Sequence, residues 1–221
     1  MDVIDAIKSR RSIRRFIDKP VKKIDILKMI EAARMAPSGG NTQPWHFIVV
    51  RDRGKIKRME SLIERSIDKL PHLLKGYGTF SETEISAYIK RWKRDSLFFA
   101  QAPLTMAVMV KDIIGLYYRE YLQYIMEKHE MNECEARKYM GYVEIMSVSA
   151  AIENLLLSAH SLGYGACWMR VPFIAKEDLK NLLNVQFPWD LIAFIPIGYP
   201  DPEYPLPKVR RKKIEDIATF I

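Results

Sequence analysis

Three short segments of the chain carry side chains that suit an anion. Residues 10–14 read Arg-Arg-Ser-Ile-Arg, residues 38–41 read Ser-Gly-Gly-Asn, and residues 210–213 read Arg-Arg-Lys-Lys. Arginine presents paired N–H donors that match phosphate oxygens, and each such charge-assisted contact contributes roughly 1.5–3 kcal/mol. The glycines of the second segment let a flat ligand approach the backbone closely. Together the three segments predict a cradle for an anion.

Each segment also has a simpler interpretation. Residues 10–14 alone are typical of a solvated basic turn, and residues 38–41 of an ordinary turn from a helix into a strand. Neither segment has the lysine and glycine spacing of a Walker A loop or the G-x-G-x-x-G spacing of a dinucleotide site. A site for a nucleoside triphosphate or a Rossmann-type dinucleotide fold is therefore not predicted.

The chain is basic, with 35 lysines and arginines against 27 aspartates and glutamates, a formal net charge of +8 in 221 residues. Such a balance raises the hypothesis of a nucleic-acid-binding protein. However, the cations are spread along the whole chain, and many of them lie beside acids. A solvated basic surface with no nucleic acid as partner is the favoured interpretation.

Other features of the sequence exclude several classes of protein. No run of 18 or more uncharged apolar residues occurs, and the N-terminal residues lack the apolar core of a secretory signal. We therefore predict no membrane span and a cytoplasmic location. Cys134 and Cys167, the two cysteines, are predicted to be reduced thiols. The four histidines are scattered and match no metal-binding pattern, so no metal ligands are predicted.

Helices and strands that must position these segments alternate along the chain. Residues 22–35 predict a helix with Ile24, Leu27, Ile30 (or Met29) and Ala33 on one face. Residues 142–162 are apolar on nearly every side, which predicts a helix buried all round or shared with a partner subunit. Further helices are predicted over 55–70, 81–94 and 176–183, strands over 45–50, 104–110, 165–171 and 191–197, and an extended proline-rich arm over 201–207.

Taken together and in this order, residues 10–14 and 36–45 resemble the FMN-dependent nitroreductase family. Residues 150–165 look like the central helix of that family. The strand that leads into Gly198-Tyr199-Pro200, followed by the basic tail, is similar as well. The resemblance covers the chain except roughly residues 55–140, where only the strand after Pro103 fits.

The resemblance implies a single domain over residues 1–221 with an α+β fold, built as three layers with a central mixed sheet flanked by helices. It also implies an intertwined homodimer with a C-terminal arm and with the cofactor at the subunit interface. A variable, lid-like insertion is expected at about residues 70–100, and residues 111–137 are expected to be helical in part.

The resemblance further implies which residues bind FMN. No catalytic side chain is assigned, because the flavin supplies the chemistry. Arg10 and Ser12 hold the phosphate, Arg11 lies along the ribityl-phosphate side and Arg14 reaches the pyrimidine edge of the ring. The remaining predicted contacts are Ser38, Gly39 and Asn41 from the second subunit, the backbone of Met169, Arg170 and Val171 near flavin N5 and O4, and Arg211 over the phosphate.

The implied activity is hydride transfer from NAD(P)H through flavin N5 to a nitroaromatic, a quinone or a similar unsaturated acceptor, by a ping-pong mechanism. Two alternatives stay open: an oxygen-dependent enzyme that fragments its flavin to make the lower ligand of cobalamin, and a non-enzymatic basic protein that binds nucleic acid. The deiodinase branch of the family is not favoured. Ile67, Pro71 and Ser96 stand where that branch has an acid, a tyrosine and a lysine.

Aromatic residues between positions 77 and 98 permit two interpretations. They form either a lid over a flat apolar acceptor or ordinary helix packing. These residues are Tyr77, Phe80, Tyr88, Trp92 and Phe98.

Overall fold

The computed structural model describes residues 1–76, 80–206 and 209–221, and at Leu73 it describes the backbone alone. Tyr77 of the predicted lid and Pro207 at the end of the predicted arm therefore lie outside the described residues. Within the described ranges the chain alternates between helices and strands, which confirms the predicted α+β class.

A sheet crosses the middle of the molecule. Its strands lie in the order β1-β2-β5-β3, β4 also pairs with β5, and all these named strands pair in antiparallel fashion. The predicted sheet is mixed, whereas the named strands form an antiparallel sheet; a parallel pairing occurs at an isolated bridge between Ser12 and Ala166. The predicted strand over 165–171 is divided into β3 and β4. The bounds are β1 Trp45–Val50, β2 Leu104–Lys111, β3 Gly165–Ala166, β4 Met169–Arg170 and β5 Trp189–Gly198.

Ten α-helices occur in the described ranges, and local signals account for several of their ends. Asp2 caps α1 through Ile4 N, and Ser81 with Glu84 forms a capping box at the start of α5. The bounds are α1 Val3–Ser9, α2 Lys23–Arg34, α3 Arg53–Asp68, α4 Leu70–Gly76, α5 Glu82–Leu97, α6 Ile113–Tyr117, α7 Arg119–His129, α8 Glu133–Tyr139, α9 Val143–Ser161 and α10 Lys176–Leu182.

Taken singly, none of the described helices has the length and apolar content needed to cross a membrane. The pair α8 and α9, bent by 54° at their break, meets that requirement by length and composition when the two are counted together. The three helices α6, α7 and α8 confirm the helical prediction for residues 111–137 and enclose a small core of their own around Ile114, Leu122 and Ala136.

Two apolar cores cover the two faces of the sheet and give the predicted three layers. On one face α2 and α9 pack against Met106 and Val108 of β2. On the other face α3, α10 and the end of α5 pack around Ala107 and Met109. Alternate residues of a strand point to opposite faces, so β2 is buried on both sides, and a run of apolar residues rather than an alternation identifies it.

The buried face of α2 differs from the predicted one. Ile24 and Leu27 are more than half exposed, at 58% and 52%, while Ile26, Met29 and Ala33 are buried. The helix carries two apolar stripes, because residues spaced by three and four positions share a face. Contact with α9 decides which stripe turns inward, and the sequence of α2 alone cannot.

The central helix α9 is buried along most of its length, as predicted. It ends where Gly163 takes the left-handed conformation, with φ +83°, typical of a residue that follows a helix. Near its start, however, Val143, Ile145 and Met146 are exposed, the last at 66%. The helix is therefore buried in its own core on one side and open on part of the other.

Beyond β5 the chain lies at the surface. The predicted extended arm begins with a turn, in which Tyr204 N donates to Asp201 O at 3.2 Å. Residues 209–221 are all exposed, including the apolar Ile214, Ile217 and Phe220. Whether this tail wraps a second subunit stays a prediction.

Candidate anion and cofactor site

The segment over residues 10–14 is fixed to the edge of the sheet. Ile13 N donates to Ala166 O at 3.0 Å, and Ser12 bridges the same residue. A Cβ at Gly165 would come within 2.7 Å of the Ile13 side chain, so the absence of a side chain there is what allows this close approach. Ser12, Ile13 and Arg14 all line one cavity beside this edge.

Arg10 follows α1 and turns its guanidinium toward α9. Its Nε lies 3.3 Å from Glu153 Oε1, and the side chain is 20% exposed. The same Nε is buried and makes no hydrogen bond within the described residues. A buried donor without a partner is costly, so this cation can accept an anion without first losing a hydrogen bond at Nε.

Arg11 is engaged differently. Its Nη1 donates to Lys8 O at 2.8 Å and to Arg10 O at 2.9 Å. These bonds satisfy carbonyls at the C-terminal end of α1, where a positive charge also suits the helix dipole. The guanidinium is thus bound back to its own helix, and its predicted contact with a cofactor stays a prediction.

Arg14 lines a cavity and lies beside the Phe98 ring. Its guanidinium lies 5.7 Å from the centre of the Phe98 ring, within the range of a cation–π contact. Ser12 and Arg14 line a cavity of about 400 Å³, and Asp95 lines both this cavity and a neighbouring one of about 470 Å³. The hydrogen bond from Arg94 lowers the pKa of the Asp95 carboxyl, and Arg91 and Arg14 add smaller effects in the same direction.

Met169, Arg170 and Val171 line the second cavity. Their backbone is held by β5, since Met169 and Arg170 pair with that strand and Val171 N donates to Ile192 O at 3.1 Å. The structure therefore brings the two predicted groups, residues 12–14 and 169–171, to adjoining cavities that share Asp95.

The loop over residues 38–41 lies elsewhere. Gln43 N donates to Ser38 Oγ at 3.0 Å and Thr42 Oγ1 donates to Gly39 O at 2.9 Å, so the loop is held mainly by its own bonds. Gly39 N also reaches Ser147 Oγ of α9 at 3.5 Å. None of the predicted loop residues Ser38, Gly39 and Asn41 lines either of the two cavities.

Arg211 is not joined to the other basic groups. It lies in the exposed tail, and no hydrogen bond or ion pair in the described part of the chain connects it to Arg10 or Ser12. Its predicted contact with a phosphate would need the tail to lie differently, and it stays a prediction.

The sequence profile described as Nitroreductase family matches residues 7–199. The chain belongs to the nitroreductase family. Its structure is similar to that of a BluB-like flavoprotein from Clostridium difficile 630, with a TM-score of 0.84, 31% identity and coverage of 100% of this chain and 99% of that chain.

Two relatives extend this comparison. A protein of Methanothermobacter thermautotrophicus, provisionally named an NADH dehydrogenase/NAD(P)H nitroreductase, is 31% identical over 204 residues, or 90% of this chain and 78% of that protein. The 5,6-dimethylbenzimidazole synthase of Rhodospirillum rubrum is 28% identical over 217 residues, or 95% of this chain and 88% of that protein. Nitroreductase-family relatives therefore include more than one activity.

Several aromatic residues of this nitroreductase-family chain are core residues rather than lid residues. Phe98 is buried, and Trp92 packs against the same core and meets Phe173 edge-on, with ring centres 5.6 Å apart. Phe80 and Tyr88 are partly exposed and contact each other. Packing thus accounts for two of the four members of the predicted set that the structure describes.

Three residues lie near residues 10–14, the anion segment, although the sequence did not predict them there: Glu153, His160 and Cys167. Cys167 is 2% exposed and adjoins Ser12; burial raises the pKa of its thiol, while Arg14, Ser12 and Arg10 oppose that rise. His160 Nε2 lies 2.7 Å from Ser9 Oγ. Because more than a hundred residues separate these partners in the chain, no local spacing could have revealed the contacts.

Proposed function

We propose that this protein is an FMN-dependent oxidoreductase that transfers hydride from NAD(P)H, by way of the flavin, to a nitroaromatic, a quinone or a similar unsaturated acceptor. The observation that carries the proposal is that Ser12 and Arg14 line one cavity, residues 169–171 line the adjoining one, and Asp95 stands in the wall of both. A phosphate at one end and a flat ring at the other match this arrangement. The similar BluB-like flavoprotein supports a flavin.

The residues of the anion segment fit the phosphate of FMN. Arg10 offers a buried N–H without a hydrogen-bond partner, and Ser12, which lines the cavity, adds a hydroxyl. Arg14 supplies a fixed positive charge where the pyrimidine edge of the ring would lie, and such a charge stabilises a reduced flavin. Arg211 joins the phosphate once the tail closes.

When bound, FMN supplies hydride transfer through its N5 atom, and the same face serves donor and acceptor in turn. The protein's part is to bind and orient: Met169 and Arg170 pair with β5, which would hold their backbone in place beside a bound ring. The proposed hydride transfer requires no acid, base or nucleophile from the chain.

The second subunit completes the site in this proposal. Ser38, Gly39 and Asn41 lie away from Ser12 within one chain, and the resemblance assigns them to the flavin of the other chain. Exposed apolar residues on α2, on α9 and in the tail support a homodimer, because large apolar patches mark interfaces. They include Ile24, Leu27, Ile145, Met146, Ile217 and Phe220.

The experiment is spectroscopic. Protein incubated with FMN and freed of excess ligand is expected to be yellow, to bleach with NADH or NADPH, and to recover its colour when a nitroaromatic or a quinone is added. Parallel incubations with FAD and with riboflavin test whether binding requires the single phosphate of FMN. A protein that stays colourless after incubation with FMN would contradict the proposal.

A second candidate is the oxygen-dependent fragmentation of reduced FMN, favoured by the 28% identity to a 5,6-dimethylbenzimidazole synthase over 95% of the chain. The two candidates are separated by exposing the reduced flavoprotein to air. Recovery of intact FMN supports the oxidoreductase, whereas consumption of FMN with release of a benzimidazole supports fragmentation.

A further inference from the structure

One face of α9 contacts Ser9 and Arg10, where α1 leads into the anion segment. Glu153 and His160 are seven residues apart, or two helical turns, and therefore lie on the same side of the helix. Glu153 Oε1 is 3.3 Å from Arg10 Nε. His160 Nε2 is 2.7 Å from the hydroxyl of Ser9, the residue just before Arg10. The central helix thus holds both the guanidinium of Arg10 and the backbone from which it projects.

The direction of the His160 bond follows from the donors available. Ser9 has one hydroxyl proton, and Ser9 Oγ donates it to Asp5 O at 2.5 Å. The hydroxyl can then only accept from the ring, so Nε2 of His160 carries a proton and donates to Ser9 Oγ. The histidine is therefore a fixed N–H donor to the end of α1.

The surroundings of His160 favour its neutral form. Burial lowers the pKa of the imidazole, and the nearby charges of Arg10 and Arg11 lower it further. On the elements packed around it, α1 also carries Asp5 and Lys8, and α9 carries Glu153. After burial itself, Arg10 has the largest effect on this pKa, so a negative charge bound to Arg10 would act on the ring.

We propose that Glu153 and His160 are positioning residues for the phosphate held by Arg10 and Ser12: Glu153 orients the guanidinium, and His160 fixes its attachment through Ser9. This inference rests on the proposed function, in which that phosphate belongs to FMN. Neither residue touches the flavin ring, and both act on affinity rather than on hydride transfer.

The affinity for FMN should therefore depend on pH. A bound phosphate dianion offsets the charge of Arg10, so the pKa of His160 rises when FMN binds. A group whose pKa is raised by a ligand favours binding of that ligand in its protonated form. The affinity for FMN should therefore increase as the pH falls toward about 6.5, by up to tenfold for each unit of pKa change.

The test compares His160→Gln with wild-type protein. The Gln amide keeps an N–H donor for Ser9 but cannot take up a proton. The dissociation constant of FMN, measured by fluorescence quenching at about pH 8 and about pH 6.5, should be similar in both proteins at the higher pH. Only the wild type should gain affinity at the lower one. Protonation of the FMN phosphate itself, near pH 6, affects both proteins equally.

Companion variants test the remaining contacts. His160→Ala and Ser9→Ala each remove the link to α1, so both should weaken FMN binding severalfold, and the double variant should be no worse than either alone. Glu153→Ala should weaken binding severalfold as well, while Glu153→Gln, which keeps an acceptor for Arg10, should restore most of it. Ser161→Ala, a neighbouring change on the exposed end of α9, is the matched control. Riboflavin, which has no phosphate, should show none of these effects.

Each outcome decides between the two hypotheses. If wild type and His160→Gln bind FMN with the same pH dependence, the protonation effect of His160 is refuted. If His160→Ala binds FMN as tightly as wild type, its positioning role is refuted. In both cases the proposed function stands. If Glu153→Ala binds FMN as tightly as wild type, the role of Glu153 is refuted. If the wild type binds FMN at neither pH, the proposed function fails and the inference fails with it. Thermal melting of each variant verifies that it is folded.

Discussion

The two segments predicted to hold the cofactor are built in opposite ways. Residues 10–14 are bound to β3 through Ala166, packed against Gly165 and held by α9 through Glu153. Residues 38–41 are held mainly by their own hydrogen bonds, and their link to α9 is a single 3.5 Å contact from Gly39 N. The first segment is a fixed wall inside one chain, whereas the second is an exposed turn. Such a turn suits a partner outside the chain.

The sharpest test of this difference is subunit complementation. Arg10→Ala damages the first segment. Gly39→Leu puts a side chain on the outer surface of the second, where no atom of the described residues lies within 4 Å of a Cβ. Each homodimer should be inactive. If the two segments of a site come from different subunits, a heterodimer of these variants has one intact site.

The two variants would be mixed by refolding and assayed for NAD(P)H-dependent reduction of a quinone. Random pairing makes half of the dimers heterodimers, so about a quarter of the wild-type activity should return. If both segments serve one site within a chain, mixing restores nothing. That result would end the assignment of the second segment to a partner.

The next largest effect concerns the charges on the phosphate. Replacing both Arg10 and Arg211 by alanine removes two charge-assisted contacts of roughly 1.5–3 kcal/mol each, so FMN affinity should fall at least a hundredfold. Titration by fluorescence measures this loss, and riboflavin serves as the ligand without phosphate. If FMN binding survives the double change, the phosphate site lies elsewhere.

The rigidity of the first segment depends on Gly165. Gly165→Ala would place a Cβ 2.7 Å from the side chain of Ile13. Because overpacking a close contact costs about 1–3 kcal/mol, the free energy of unfolding in urea should fall by that amount, and FMN binding should weaken as Ser12 shifts.

The matched control is Gly39→Ala. That position has no positive φ and no atom within 4 Å of a Cβ, so the free energy of unfolding should change by less than about 0.5 kcal/mol. An equal loss of unfolding free energy in Gly165→Ala and Gly39→Ala would contradict the contrast between a fixed wall and an open turn.

The same contrast explains what the sequence could predict. The strands of the core and α9 follow from strong periodicity or from unbroken apolar runs, and the turn after α2 follows from its two glycines. The buried stripe of α2 does not follow, because Ile24 and Ile26 begin equally good apolar stripes and only contact with α9 distinguishes them. The stripe that begins at Ile26 is buried because it packs against α9.

For the site, residue types predicted an anion cradle, but the partners of each cation depend on the fold. Glu153 and His160 approach residues 9 and 10 from more than a hundred positions away, so no spacing indicates them. The arginines of residues 10–14 read alike in sequence. In the structure Arg10 meets a carboxylate, Arg11 meets carbonyls and Arg14 meets an aromatic ring.

The smallest predicted effect is that of Arg11→Ala, which we compare with Arg10→Ala. Arg11→Ala removes two bonds to the carbonyl end of α1, of 2.8 and 2.9 Å. A cation at this position stabilises a helix by about 0.3–1 kcal/mol, so the free energy of unfolding should fall within that range. FMN affinity should fall far less than in Arg10→Ala. Arg34→Ala, which removes an exposed cation at the end of α2 that pairs with Glu31 instead, is the control. A tenfold loss of FMN affinity in Arg11→Ala would mean that its guanidinium leaves α1 when the phosphate binds, and that the first segment is less fixed than its bonds to β3 imply.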